Sequence, residues 1–188
     1  IEYFKPILSV SRIENVSFKK FFIFDSTTIS LFSDIMKGVG RNPKDDGKKK
    51  GGLKVHMLVD AHADTATFAR ISEAKSHDKN FMQYLNLPKH SMIVFDKAYN
   101  YYLQFANWTT QEINFVCRLK DNAVYEVIEE LFKQSLPDNQ KGVLKEEHIH
   151  LKYKEDNQEK TICLRKVTYR DEYGFVYEFI TNNFLIST

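Results

Sequence analysis

Cysteine is scarce in this chain: Cys117 and Cys163 are the only two, far apart and without the close spacing of a metal-binding pair. That rules out a disulfide scaffold. Each sits beside an apolar, strand-like residue, so both are expected to be buried free thiols of a reducing cytosol. No apolar run approaches the roughly 18 residues a membrane span needs, and no signal peptide opens the chain, so a membrane is not an expected partner. Also missing are a Gly-rich phosphate loop ending in Lys-Ser/Thr and a Gly-x-Ser-x-Gly elbow. Asp25-Ser26-Thr27 lacks the second acid, two residues on, that an aspartyl-phosphate phosphatase would want. Charge of one sign is missing as well. With 27 Lys/Arg against 25 Asp/Glu the net charge is +2, too little to argue for nucleic acid unless basic residues cluster locally. There are no internal repeats and no low-complexity tracts.

What is present is aromatic and apolar. The 188 residues are 43% hydrophobic and 14% aromatic, with 15 Phe and 10 Tyr, the composition of a globular, β-containing protein with a full core. Two short runs stand out, Phe21-Phe22-Ile23-Phe24-Asp25 and Met92-Ile93-Val94-Phe95-Asp96. Unbroken apolar runs of this length read as strands buried on both faces, central in a sheet. A buried carboxylate without a partner costs several kcal/mol, so an acid at such a strand end is normally paired, hydrogen-bonded or bound to metal. Open α/β sheets bind ligands beyond their strand ends, where acids from two neighbouring central strands converge on one ion. The simpler alternative, that each Asp caps the following turn, stays open.

Along the chain, residues 1–20 form a lead-in without clean periodicity, expected to pack on the domain or link it to something upstream. Strand one is Phe21–Asp25, and Ser26–Phe32 either continues it past a bulge or turns. The stretch Lys37–Gly52 holds most of the chain's seven glycines and six Lys/Arg against two Asp. It reads as a mobile loop: a solvated hairpin tip, or a phosphate-seeking arm through Arg41, Lys48, Lys49 and Lys50. Leu53–Asp60 and Ala66–Ser72 complete an antiparallel meander. Ser76-His77-Asp78 offers an N-cap before a helix over Asn80–Leu87, which Pro88 stops. Strand four is Met92–Asp96, a helix covers Tyr99–Thr110, and Ile113–Leu119 is strand five. The order is β-β-β-α-β-α-β. Beyond Lys120 the texture becomes all-β: Val124–Phe132 is a short helix or strand, and Val143–Tyr153, Thr161–Tyr169 and Phe175–Thr181 alternate. Asp156-Asn157-Gln158 and Asp171–Gly174 supply hairpin turns. This block reads as an insertion or subdomain spliced after strand five, giving 1–20 lead-in, 21–120 core and 121–188 β-rich insertion.

Asp is a hard oxygen ligand suited to Mg²⁺ or Mn²⁺. Two or three such carboxylates can hold a pair of ions that activate an attacking oxygen and stabilise a leaving one, the chemistry of nucleases and polynucleotidyl transferases. Zinc is poorly supported. His148 and His150 share one face of a strand, but no further ligands complete a site, so a solvent-facing pair is the default. Lys54 and His56 share a face of strand two near Asp25 and either touch a phosphate or simply lie on a half-exposed face. Lys97, directly after the second acid, is a candidate for backbone phosphate. His77-Asp78 is a helix cap or a site element. Tyr99 and Trp108 read as core.

Six collinear motifs resemble those of the DDE transposases of bacterial insertion sequences, with the group named after insertion sequence four as the nearest likeness. They are Asp25-Ser26-Thr27-Thr28-Ile29-Ser30-Leu31, Gly51-Gly52-Leu53-Lys54-Val55-His56, Ser76-His77-Asp78, Ile93-Val94-Phe95-Asp96-Lys97-Ala98-Tyr99, Phe115-Val116-Cys117-Arg118-Leu119-Lys120 and Phe179-Ile180-Thr181-Asn182-Asn183. The resemblance implies an α/β, ribonuclease-H-like mixed sheet with flanking helices and a β-rich insertion after the fifth strand. It makes Asp25 and Asp96 ligands of two divalent ions and double-stranded DNA the partner. A homodimer on DNA and a cytoplasmic, nucleoid-associated location follow from it. Two departures matter. Ala98 stands where the family usually has Gly, a substitution that a positive φ would resist. The family's third acid, in a Tyr-x-x-Arg-x-x-x-Glu-x-x-x-x-x-x-Lys pattern after the Thr-Asn strand, is not matched by Glu172, Glu178 or any other acid here. The chain is therefore expected to be a fragment of a longer protein and inactive alone. Two rivals stand beside strand cleavage and transfer: a ribonuclease-H-like nuclease that cuts without joining, and a non-catalytic, domesticated DNA-binding remnant.

Overall fold

Phenylalanines at 22 and 24, isoleucine and phenylalanine at 93 and 95, and Phe115 and Cys117 recur with the period of two that puts alternate side chains on one sheet face, and all six are buried. A computed structural model describes residues 18–30, 52–137 and 140–185 of the chain. Its strands are β1 (Phe21–Ser30), β2 (Gly52–Asp60), β3 (Thr65–Glu73), β4 (Met92–Phe95), β5 (Asn114–Arg118), β6 (Tyr125–Lys133), β7 (Gly142–Glu155), β8 (Gln158–Arg170) and β9 (Val176–Thr181), and its one α-helix among the described residues is α1 (Tyr102–Thr110). All nine strands form a single sheet in the order β3-β2-β1-β4-β5-β9-β8-β7-β6. The pairs β1–β4 and β4–β5 are parallel and the rest antiparallel. It is a mixed α/β architecture dominated by sheet.

One face of this sheet carries the core. Phe22, Phe24, Leu58, Ile93, Phe95 and Phe115 meet Phe81, Met82, Phe105 and Trp108 from the covering turns and helix, and Ile149, Leu151, Leu164 and Ile180 extend the same cluster under the later strands. Burying each such side chain contributes about 1.5–3 kcal/mol, so this face supplies most of the driving force. The opposite face is thinly covered: Ile23, Val94 and Val116 are half-buried, and Met57 and Ile71 are exposed.

The meander of β1, β2 and β3 and the crossover strands β4 and β5 stand as the sequence indicates, and β1 continues to Ser30 rather than turning at Ser26. Two helices differ. In place of a helix over Asn80–Leu87 there is a 3-10 turn, Asp78–Tyr84, with Phe81 and Met82 buried. So short a segment before Pro88 cannot offset the cost of nucleating an α-helix, and the tighter turn suffices to bury its apolar side chains. The expected helix over Tyr99–Thr110 is split into a 3-10 turn, Lys97–Tyr99, and α1. Asn100 ends the first piece, because its amide Nδ2 donates to the carbonyls of Lys97 (3.0 Å) and Arg118 (2.9 Å).

The late strands do not make a sheet of their own. β9 returns to pair with β5, aligning Cys117 with Ile180, and β8, β7 and β6 continue outward from it. Asp156 and Asn157, both with positive φ, make the tight turn between β7 and β8. Lys166 ties this half together: its buried ammonium reaches Tyr125 of β6 (2.7 Å), Glu147 of β7 (2.9 Å) and Glu178 of β9 (2.8 Å). Of the two cysteines, Cys117 is buried as expected but Cys163 is exposed. The alternation on β8 buries Ile162 and Leu164, so the residue between them must face out. His148 and His150 flank the buried Ile149 on β7, on the outward face, with His148 against Glu129 (3.2 Å).

Candidate active site

Phe24 of β1 aligns with Phe95 of β4 in parallel register, so the next residue on each chain, Asp25 and Asp96, emerges at the same level. Neighbouring strands lie about 4.8 Å apart, which brings the two acids to adjacent positions at the carboxyl end of the parallel strands. Alternation turns both away from the phenylalanine core. Both are exposed, so the desolvation cost expected of buried acids does not arise. Each accepts one backbone hydrogen bond, Asp25 Oδ1 from Ser26 N (2.7 Å) and Asp96 Oδ1 from Ala98 N (3.0 Å). Asp96 is thus also the N-cap of its 3-10 turn. Ala98 is not among the residues with positive φ, so this backbone has no need of the usual glycine.

Beneath the acids, on the core side, lies a polar cluster. Asp78 Oδ1 accepts hydrogen bonds from Lys54 Nζ (2.8 Å) and Ser26 Oγ (3.3 Å). His56, wholly buried, lies between Tyr99 Oη (3.3 Å) and Ser72 Oγ (3.1 Å) and stacks on Phe81 with ring centroids 3.7 Å apart. Burial lowers the His56 pKa below the ordinary histidine value; the Asp78 carboxylate opposes this, and the Lys54 and Arg70 charges add to it. Burial likewise pushes the Tyr99 phenol well above the tyrosine range; Ser26 opposes the shift, and the charges of Asp78, Asp25 and Asp96 reinforce it.

Lys97 lies beside the acids but is engaged by Asp121, with Nζ–Oδ2 at 2.8 Å. The two line an open cleft of about 450 Å³ together with Asp96, Ala98, Lys120 and Asn122. Lys54 and His56 lie on the same face of β2, as read from their spacing, but that face is the covered one. Arg41, Lys48, Lys49 and Lys50 lie outside the described residues.

A family model described as a transposase DDE domain matches residues 16–183. The chain belongs to the DDE transposase domain family. A comparison with curated proteins returns no match. Membership makes DNA transposition the general activity of the DDE domain, polynucleotidyl transfer its enzyme class and DNA its partner, and the family generally uses divalent metals. The donor set of this DDE domain is compatible with such an ion. Asp25 and Asp96 are hard oxygen donors at neighbouring positions, and neither is ion-paired among the described residues. No third acid, histidine or cysteine joins them to make a group of three among the described residues. No helix among them is long and apolar enough to cross a membrane.

Residue patterns pointed to Asp25, Asp96 and Lys54 but undervalued three others in the DDE domain. Asp78 looked as much like a helix cap as a site element, yet His77 holds the cap position and Asp78 is the hub of the polar cluster. Ser26 gave no signal of its own, being one hydroxyl residue among several. Asn182, in the Thr181-Asn182-Asn183 motif, accepts a hydrogen bond from Phe115 N (3.0 Å) and donates to Ile113 O (2.9 Å) and Thr109 Oγ1 (3.0 Å), joining β9 to the start of β5 and the end of α1.

Proposed function

We propose that this chain is the catalytic-core portion, with insertion, of an insertion-sequence transposase of the insertion-sequence-four group, and that Asp25 and Asp96 are its first two metal ligands. The side-by-side register of these acids, each directly after the parallel-paired stretch of β1 and β4, in a chain of the DDE family, is the observation that carries the reading. In it, Asp25 and Asp96 would hold Mg²⁺ or Mn²⁺, two ions in the complete enzyme, which would supply activation of water and then of a DNA 3′ hydroxyl for cleavage and joining at the ends of a bacterial element. The fold is of the ribonuclease-H type, residues 21–120 forming the core and 121–188 the β-rich insertion that shares its sheet. Lys97 contacts phosphate by exchanging its exposed partner Asp121 for the DNA backbone, and Arg41, Lys48, Lys49 and Lys50 supply the basic arm. Lys54 and His56 support the acids from beneath. The protein works as a homodimer on DNA in the cytoplasm, close to the nucleoid.

Two carboxylates hold an ion more weakly than three, so residues 1–188 by themselves are inactive in this reading. The deciding experiment measures DNA cleavage and strand joining in Mg²⁺ by a longer protein carrying this domain, with Asp25→Asn and Asp96→Asn. Each substitution should lower both rates by at least about a hundredfold, as removal of a charge-stabilising group does, while DNA binding persists. Cleavage that survives either change would remove the metal-ligand assignment. Cutting without joining by the unsubstituted protein would favour a nuclease instead.

A further inference from the structure

Asp25 lies on β1 and Asp96 directly after β4, yet each has a close neighbour in the polar cluster beneath them. Ser26 follows Asp25 on β1, and Tyr99 closes the 3-10 turn that Asp96 caps. The Ser26 hydroxyl donates to Asp78, whose Oδ1 lies 3.8 Å from His56 Nδ1. His56, opposite Ser26 in the β1–β2 register, links Tyr99 to Ser72 of β3. Lys54, whose side chain is 9% exposed, anchors Asp78 and reaches Ser76 O at 3.4 Å. A continuous set of contacts thus runs from the residue after one acid to the turn capped by the other.

We propose that Ser26, Lys54, His56, Asp78 and Tyr99 form a positioning network that holds the backbones of Asp25 and Asp96 in fixed relation, so that their carboxylates present a preformed site for a divalent cation. The proposal rests on the metal reading of the two acids. Its physical motive is cost. A lysine–aspartate pair with the lysine buried and the aspartate partly buried, and a buried imidazole, are no more stabilising than well-packed apolar side chains of the same volume, and are often less so. What directed hydrogen bonds provide and apolar packing does not is a single geometry. A metal site needs that, because its ligands must be held to within about 0.5 Å by groups that are themselves locked. Ring packing on Phe81 and Phe24 keeps His56 and Tyr99 from swinging away.

The test uses the 188-residue chain, with Mn²⁺ alone as the probe, followed by electron paramagnetic resonance of the free ion. A metal-free readout runs beside it: amide exchange at Ala98 N, which reports the Asp96 carboxylate directly. Tyr99→Phe and Asp78→Asn should each speed Ala98 exchange by about fivefold, the effect of losing one hydrogen bond, and weaken Mn²⁺ binding by a similar factor. Amides of Val94 and Val116 in the underlying strands should keep their protection, which separates positioning from general destabilisation. His56→Gln, whose amide can still bond both neighbours, should retain more Mn²⁺ affinity than His56→Leu. Wild-type Ala98 exchange and Mn²⁺ affinity in folded Tyr99→Phe and Asp78→Asn, with binding lost in Asp25→Asn, would overturn the network and leave the metal reading intact. Equal Mn²⁺ binding by the wild type and Asp25→Asn would overturn the metal reading, and the cation site proposed here with it.

Discussion

His56 shows how a residue's chemistry depends on the face it occupies. A histidine two residues from a lysine on a strand suggests a pair aimed at phosphate, yet both side chains point under the sheet, into contact with Phe81, Tyr99 and Asp78. With its folded pKa held below 6.5, chiefly by burial, the imidazole stays neutral in the native state while the unfolded chain takes up a proton as the pH drops. Its contribution to stability is therefore complete above about pH 6.5 and is lost as the pH falls through the folded value. Side-chain NMR should place the His56 midpoint below 6.5. Urea unfolding should show a decline in stability below that pH that is shallower in His56→Gln. A midpoint at or above the ordinary value would mean that the ring is solvated, contrary to its complete burial.

Strand ends are where the elements of this fold are secured. Asn182 does this for β5: with one side chain it satisfies the Phe115 N–H and the Ile113 carbonyl at the start of that strand and reaches Thr109 at the end of α1. The motif Thr181-Asn182-Asn183 therefore has a structural explanation that needs no contact with DNA. Replacing Asn182 by Ala leaves these groups without their partner and should cost about 1–3 kcal/mol in urea unfolding. A loss within about 0.5 kcal/mol, the range of ordinary surface substitutions, would show that water replaces the amide. Helix prediction went astray on the same scale. Apolar spacing at 81, 82 and 85 is common to an α-helix and to a 3-10 turn, and side chains such as Asn100 decide where the chain leaves its helical path.

Across the whole molecule, the β9–β5 pairing makes one sheet of what the sequence presents as two textures. Trp108 sits at the join, in a helix that packs on both β5 and β7, and is fully buried. Since Ile149, Leu151 and Leu164 belong to the same core as Phe95 and Phe115, the two halves should unfold together. Trp108 fluorescence and far-ultraviolet circular dichroism should report one coincident urea transition. Two separated transitions would show that the strands beyond Lys120 form an independent unit.

The amino-acid sequence by itself located most of the strands along the chain and singled out the two acids, because alternation, unbroken apolar runs and turn residues are local properties read along a single segment; it left β6 open between helix and strand. It also placed Asp25 and Asp96 at the ends of the two apolar runs, although β1 itself goes on to Ser30. Only the tertiary structure decided that those ends are neighbours in register, that Lys54 and His56 face the core, and that Cys163 faces out. It alone joined the later strands to β5. These outcomes depend on pairing between segments far apart in the chain and on which sheet face is covered, and no period within one segment encodes either.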